Sequence, residues 1–121
     1  MLDLVFIGLL KVITKRPRPK LNKTHDMALG TNTGPDKYSF PSGHSSRAIL
    51  MANLITSLVL SDAYSKYFNG YSKAIFIIFI NLFSYMTCLS RLLLVRHHFT
   101  DVLAGILVGY FTYFICFIFL F

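Results

Sequence analysis

Two long apolar runs, Ala74–Val95 and Val102–Phe121, constrain this chain more than any other feature. Crossing roughly 30 Å of hydrocarbon takes about 20 residues in a helix, and both runs reach that length. A third run, Ala48–Leu60, is shorter, but gains length if its helix begins near Ser42, just after Pro41, a residue favoured at helix starts. That start places Gly43, His44 and Arg47 in the first turns, at the membrane boundary. A fourth run, Leu2–Ile13, gives only about 18 Å of helix. It is not a signal peptide, since no positive charge precedes it and no small-residue cleavage site follows. It reads as the tail of a helix whose start is missing. The expected architecture is therefore all-α: a multi-pass membrane helical bundle with three full transmembrane helices plus the end of an N-terminal one. Residues 1–121 form one domain, read as an N-terminally truncated fragment.

Composition agrees and adds a puzzle. Hydrophobic residues make up 55% of the 121 and charged residues 14%, against about 25% charged in an average soluble domain. Yet the net charge is +7. Such a chain is either a membrane protein with basic loops or one that handles anions at the bilayer surface. If the last three helices each cross once, the long first loop, the start of the second helix and the end of the third share one face. That face carries Lys11, Lys15, Arg16, Arg18, Lys20, Lys23, Lys37, Arg47, Arg91 and Arg96 against Asp26, Asp36 and Asp101. The opposite loop has only Lys66 and Lys73 against Asp62, and Asp3 sits alone in the first run. The positive-inside rule gives one reading, a cytosolic face. An anion site gives the other, because side chains that hold phosphate are cationic. His25, His44, His97 and His98 all lie on the same face, which favours chemistry over topology alone.

The segment Thr14–Phe40, with three prolines and two glycines counted through Pro35, reads as a structured loop. Asn69-Gly70 marks the next turn, and Leu92–Asp101 the tight loop into the last helix. Gly105 and Gly109 have the small-xxx-small spacing that lets helices approach closely, a matter of packing. Cys88 and Cys116 lie within apolar runs and read as small packing residues.

Three clusters on the basic face can do chemistry. Lys11 with Arg18-Pro19 places two cations at and just beyond a helix end, which alone is also what a snorkelling pair looks like. Pro41-Ser42-Gly43-His44 at a helix start offers backbone N–H groups, a hydroxyl and an imidazole, an anion-binding arrangement, although a plain capping role for Ser42 fits equally well. Ser90-Arg91, His97 and Asp101 form the third. An arginine one turn from the end of a membrane helix is a functional hypothesis by default. His97 and Asp101, four apart, share a face if helical. The carboxylate then holds one imidazole N–H and leaves the other nitrogen as a nucleophile; Asp101 as helix N-cap is the alternative. Zinc is disfavoured, because adjacent His97-His98 is poor ligand geometry and no Cys/His spacing matches.

Taken together and in order, the clusters resemble the type 2 phosphatidic acid phosphatase superfamily, whose signature is KxxxxxxRP, PSGH and SRxxxxxHxxxD. Lys11, Arg18, Pro19, Pro41, Ser42, Gly43, His44, Ser90, Arg91, His97 and Asp101 fill every position. The wider stretches DKYSFPSGHSSRA and SRLLLVRHHFTDVLAG are similar to the polyisoprenoid (presqualene) diphosphate phosphatase branch. The family usually has six membrane helices, which implies that this chain starts within the third.

The resemblance implies a metal-independent phosphatase with no cofactor and no nucleic-acid partner. It implies a multi-pass protein of the endoplasmic reticulum or nuclear envelope, with the bilayer and a lipid phosphate or isoprenoid diphosphate as its partners. His97 becomes a phosphohistidine with Asp101 orienting it, and His44 protonates the leaving oxygen. Lys11, Arg18, Ser42, Gly43 and Arg91 hold the phosphoryl oxygens, while Ser90 supports packing or Arg91. Lys37, Arg47 and Arg96 are candidates for a second phosphate, an inference beyond the signature. Two rivals share these motifs. Inert membrane or nuclear-envelope scaffolds exist among relatives, but His44, His97 and Asp101 are intact. Vanadate-dependent haloperoxidases share the anion-site motifs, but helices of membrane length argue against them.

Overall fold

The computed structural model describes residues 2–19, 37–61, 64 and 66–120. The described residues form four helices and no strand: α1 (Leu2–Thr14), α2 (Gly43–Leu60), α3 (Gly70–Leu93) and α4 (Phe99–Leu120). The charges expected at Lys20, Lys23, His25, Asp26, Asp36 and Asp62 lie outside the described residues.

Helix starts follow local chemistry. Ser42 is the N-cap of α2, its side chain accepting from the Ser45 N–H. Asn69 caps α3 in the same way through the Ser72 N–H at 2.8 Å. Each satisfies one of the donors that a helix start leaves without an intrahelical partner. The end of α3 closes with two backbone bonds, Val95 N–H to Leu92 carbonyl at 2.9 Å and Arg96 N–H to Arg91 carbonyl at 3.3 Å. This is the paired Schellman closure, with Val95 at φ 52 in the left-handed position that glycine usually fills.

α3 and α4 are both long and apolar enough to cross a membrane. α2 spans about 27 Å at 1.5 Å per residue, but Ser45, Ser46, Arg47, Asn53, Thr56 and Ser57 interrupt its apolar character.

Side-chain distribution is inverted relative to a water-soluble domain. Ser39, Ser42, Ser45, Ser46, Ser84, Asp101 and Thr112 are buried, alongside a small apolar cluster of Ile49, Cys88 and Val102. Large apolar side chains point outward, including Ile75, Ile78, Phe79, Leu82 and Phe83 on α3 and Leu107, Phe111, Phe114 and Ile118 on α4. Surface of that kind is far more than a soluble monomer of this size exposes to water. Small and hydroxyl residues at the helix contacts are what packing in lipid favours, because close approach and hydrogen bonding replace the hydrophobic drive.

α2 is the hub, packing on both α3 and α4, while α1 lies against α4 and α2. Hydroxyl bonds tie the helices at several levels. Ser57 Oγ meets Tyr113 Oη at 2.6 Å, Asn81 Nδ2 donates to Thr56 Oγ1 at 3.2 Å, and Tyr85 Oη meets Tyr110 Oη at 2.7 Å. Phe6 packs edge-on against Phe111, linking α1 to α4.

The tightest contact is between α4 and the first turns of α2. A Cβ on Gly105 would overlap the Ser42 carbonyl oxygen and lie 3.1 Å from Ser45 Cβ. On Gly109 it would lie 2.6 Å from the Ser46 carbonyl oxygen and 3.0 Å from Ile49 Cβ. Backbone on the far side cannot move aside cheaply. Gly105→Ala and Gly109→Ala are therefore expected to destabilise the protein by about 1–3 kcal/mol each. Gly8→Ala, where a Cβ meets nothing within 4 Å, should instead stabilise by up to about 1 kcal/mol through helix propensity. Thermal unfolding of the three variants in detergent, read against wild type, checks the opposite signs.

Candidate active site

Where α1 ends, α2 begins and α3 turns into α4, a cavity of about 120 Å³ opens. α1 and the segment after it supply Lys11 and Arg18. The start of α2 supplies Gly43, His44 and Arg47. Arg91, Arg96 and His97 come from the end of α3 and the turn that follows. Among the described residues, five cations and two imidazoles surround the space and no carboxylate lines it.

The structure brings six of the eight sequence-predicted site residues to this cavity: Lys11, Arg18, Gly43, His44, Arg91 and His97. Lys11 is buried at the end of α1, whereas His44 is exposed. Arg91 Nε is steadied by Ser90 Oγ at 3.4 Å, and Ser90 in turn donates to the Thr87 carbonyl. The other two predicted residues stand behind the lining. Ser42 is fully buried, and its Oγ is engaged with Ser45 Oγ at 2.9 Å besides capping α2. Of the additional cations considered for a second phosphate, Arg47 and Arg96 line the cavity; Lys37 is exposed and does not.

Asp101 is also fully buried. It is not the N-cap of α4 but sits in its first turn, and its Oδ2 accepts the His98 N–H at 2.8 Å, the half of a capping box that reaches back to the cap. Its Oδ1 accepts from Arg16 Nη1 at 3.0 Å. Its backbone carbonyl accepts the Ser42 N–H at 2.9 Å, pinning the start of α2 to the start of α4.

The hydrogen bond expected between Asp101 and His97 is not the one formed. His97 Nδ1 lies 3.9 Å from Asp101 Oδ2, but 2.8 Å from the Ser39 carbonyl oxygen. A carbonyl only accepts, so Nδ1 carries the proton and Nε2 holds the lone pair. Ser39 is itself fixed, its N–H donating to the Arg16 carbonyl at 2.9 Å and its Oγ to the Pro17 carbonyl at 3.0 Å. Sequence reasoning missed both Ser39 and Arg16. Ser39 contributes a backbone oxygen that any residue carries, and Arg16 lies in the unspecified spacer between Lys11 and Arg18.

Burial pushes the His97 imidazole down to about 4, with Arg18 and Lys11 acting in the same direction and the Ser39 carbonyl and Asp101 opposing. The ring is therefore neutral at pH 7, with an unprotonated Nε2 in a cavity lined by cations. No group of three His, Cys, Asp or Glu residues is gathered among the described residues in a way that would hold a metal ion.

The depressed basicity has a stability consequence. An unfolded histidine takes up a proton near pH 6.5, while folded His97 resists doing so until about 4. The stabilisation is fully present above 6.5 and is lost progressively as pH falls towards 4. His97→Gln should flatten the fall in stability between pH 6.5 and 4 relative to wild type in pH-dependent denaturation. At Val95, the left-handed φ costs a β-branched residue roughly 1–2 kcal/mol, so Val95→Gly should raise the unfolding temperature.

Comparison with known proteins locates this arrangement. The family described as the PAP2 superfamily matches residues 1–121. The chain is 31% identical over 121 residues to a protein described as probable lipid phosphate phosphatase beta of Arabidopsis thaliana, covering 88% of this chain. The chain spans about half (55%) of the length of that curated relative. No solved structure matches.

Proposed function

Because this chain belongs to the PAP2 superfamily, we propose that it is an integral-membrane lipid phosphatase acting through a phosphohistidine at His97. The observation that carries this reading is the cavity. Residues from three motifs far apart in sequence converge on one space with five cations, a helix N-terminus and two histidines. The probable lipid phosphatase relative supports a lipid phosphate as substrate. We propose three membrane-crossing helices, α2 to α4, with α1 packed beside them and residues 1–121 acting as one domain. The site then lies at the bilayer surface, where a phosphate headgroup resides.

The reaction proceeds in two displacements. In the first, Nε2 of His97 attacks phosphorus, forming the N–P bond as the P–O bond to the leaving group breaks. The Nδ1 proton stays on the ring and is donated to the Ser39 carbonyl oxygen, which holds the tautomer with a free Nε2. His44, exposed at the cavity edge, gives its proton to the departing oxygen. In the second, His44 removes a proton from water as the water oxygen attacks phosphorus. The N–P bond breaks, releasing phosphate and restoring His97. Lys11, Arg18 and Arg91, with the N–H groups at Gly43, neutralise the charge on the equatorial oxygens, which is where phosphoryl transfer needs stabilisation. Ser42 acts through the cap that fixes this N-terminus. Asp101 acts by holding the loop that carries His97, and its charge 3.9 Å away favours the imidazolium-like character of the phosphorylated ring.

No step calls for a metal ion. The preferred substrates are phosphatidic acid or isoprenoid diphosphates such as farnesyl, geranylgeranyl and presqualene diphosphate, in membranes of the endoplasmic reticulum or nuclear envelope. Membranes containing the protein should release inorganic phosphate from these lipids with EDTA present. His97→Ala should lower kcat by at least about a thousandfold, the scale on which loss of a nucleophile acts. Asp101→Asn should lower activity less. Unchanged turnover in His97→Ala would sink the mechanism, and no turnover by wild type on any lipid phosphate would favour the silent scaffold.

A further inference from the structure

The proposed chemistry uses three cations, yet five of the described residues lining the cavity are cationic. A phosphomonoester carries about two negative charges, for which Lys11, Arg18, Arg91 and the α2 N-terminus suffice. Arg47 and Arg96 exceed that need. Arg47 also has an ion-pair partner of its own. Its Nε lies 3.7 Å from Oδ2 of Asp3, a carboxylate whose side chain is 5% exposed and lies in the first turn of α1. The other oxygen of Asp3 accepts the Ser46 hydroxyl, while Oδ2 makes no hydrogen bond among the described residues. A buried carboxylate is retained at a cost of several kcal/mol unless it has a charged partner. The pairing draws the half-exposed guanidinium towards Gly43, whose absent Cβ would lie 3.7 Å from Arg47 Nη2. A second opening, lined by Asp3, Leu4, Leu50 and Met51, meets the first at Arg47.

We propose that Arg47, oriented by Asp3, binds the phosphate beyond the reacting one, so that the cavity selects diphosphate over monophosphate headgroups. This assignment rests on the phosphatase reading of the same cavity and extends it to headgroup choice. The guanidinium fork suits two oxygens of one phosphate, and its place beside the α2 N-terminus puts it next to the phosphoryl group being transferred. Asp3 is a positioning residue, since it acts only through Arg47.

Purified protein in detergent tests this with inorganic pyrophosphate and orthophosphate as probes. Wild type should bind pyrophosphate at least about tenfold more tightly than orthophosphate, the scale of one charge-assisted pair. Arg47→Gln should collapse that ratio towards one. Arg47→Lys, which keeps the charge but not the fork, should recover only part of it. Asp3→Asn should reduce the ratio while orthophosphate affinity stays close to that of wild type. Lys15→Gln, which removes an exposed charge outside the cavity, should leave the ratio unchanged and so separates a subsite from general electrostatics. A ratio unaltered in Arg47→Gln, or one lowered equally by Lys15→Gln, overturns the proposal. The rate of phosphate release from farnesyl diphosphate relative to farnesyl monophosphate should follow the same order of variants. A protein with the pyrophosphate preference that releases phosphate from neither lipid overturns the phosphatase reading and still supports the subsite.

Discussion

The buried carboxylate of Asp101 is the constraint on which the site depends. With its side chain at zero exposure, an uncompensated charge there would cost several kcal/mol, so the surrounding chain must bring it donors. It does so from two directions, and a third bond meets the backbone of the same residue. Arg16 arrives from the segment after α1, the His98 N–H comes from the cap of α4, and the Ser42 N–H binds the same residue's carbonyl from the cap of α2. One residue thereby sets three elements against each other. Those elements carry Arg18, Gly43 and His97, three groups that line the cavity. Removing the carboxylate takes away the Arg16 and His98 bonds together, which is how a residue outside the cavity lining reaches the geometry within it.

A second constraint follows from solvent. The outward face of α3 and α4 is apolar, while serines, a threonine and glycines fill the contacts among α2, α3 and α4. That arrangement is stable where the surroundings are hydrocarbon and close backbone approach substitutes for burial of large side chains. It also separates the two kinds of polar group. Hydroxyls sit along the helix interfaces and bond to one another, whereas cations collect at one end around the cavity. Low local dielectric at that end strengthens attraction for an anion, and it also keeps the His97 imidazole neutral. The cationic cavity's attraction for anions and the neutral imidazole thus share one cause.

Much of this was legible in the sequence. The helix start near Ser42 could be read because capping is local chemistry, whereas Asn69-Gly70 read only as a turn and proves to cap α3; six of eight predicted site residues meet at the cavity because the motif spacings follow helix ends. The small-residue spacing of Gly105 and Gly109 marked a close helix contact, now seen against the Ser42 and Ser46 carbonyls. What escaped was tertiary or backbone-borne. The partner of His97 is a main-chain oxygen of Ser39, invisible to any reading of side-chain types. Arg16 gains its role only once the chain after α1 folds back onto α4. Asp3, isolated in an apolar run, takes meaning from Ser46 and Arg47, more than forty residues away. Val95 shows the limit from another side, since a β-branched residue gives no warning of a left-handed turn.

The central claim is that His97 carries the phosphoryl group between the two displacements. Rapid quenching of the protein with a radiolabelled lipid phosphate, followed by peptide mapping at alkaline pH, tests it most directly. The account predicts an acid-labile, base-stable label on the peptide containing His97, absent in His97→Ala and longer-lived when His44 is replaced by Gln. A turning-over enzyme that yields no such label, or places it on another residue, would contradict it.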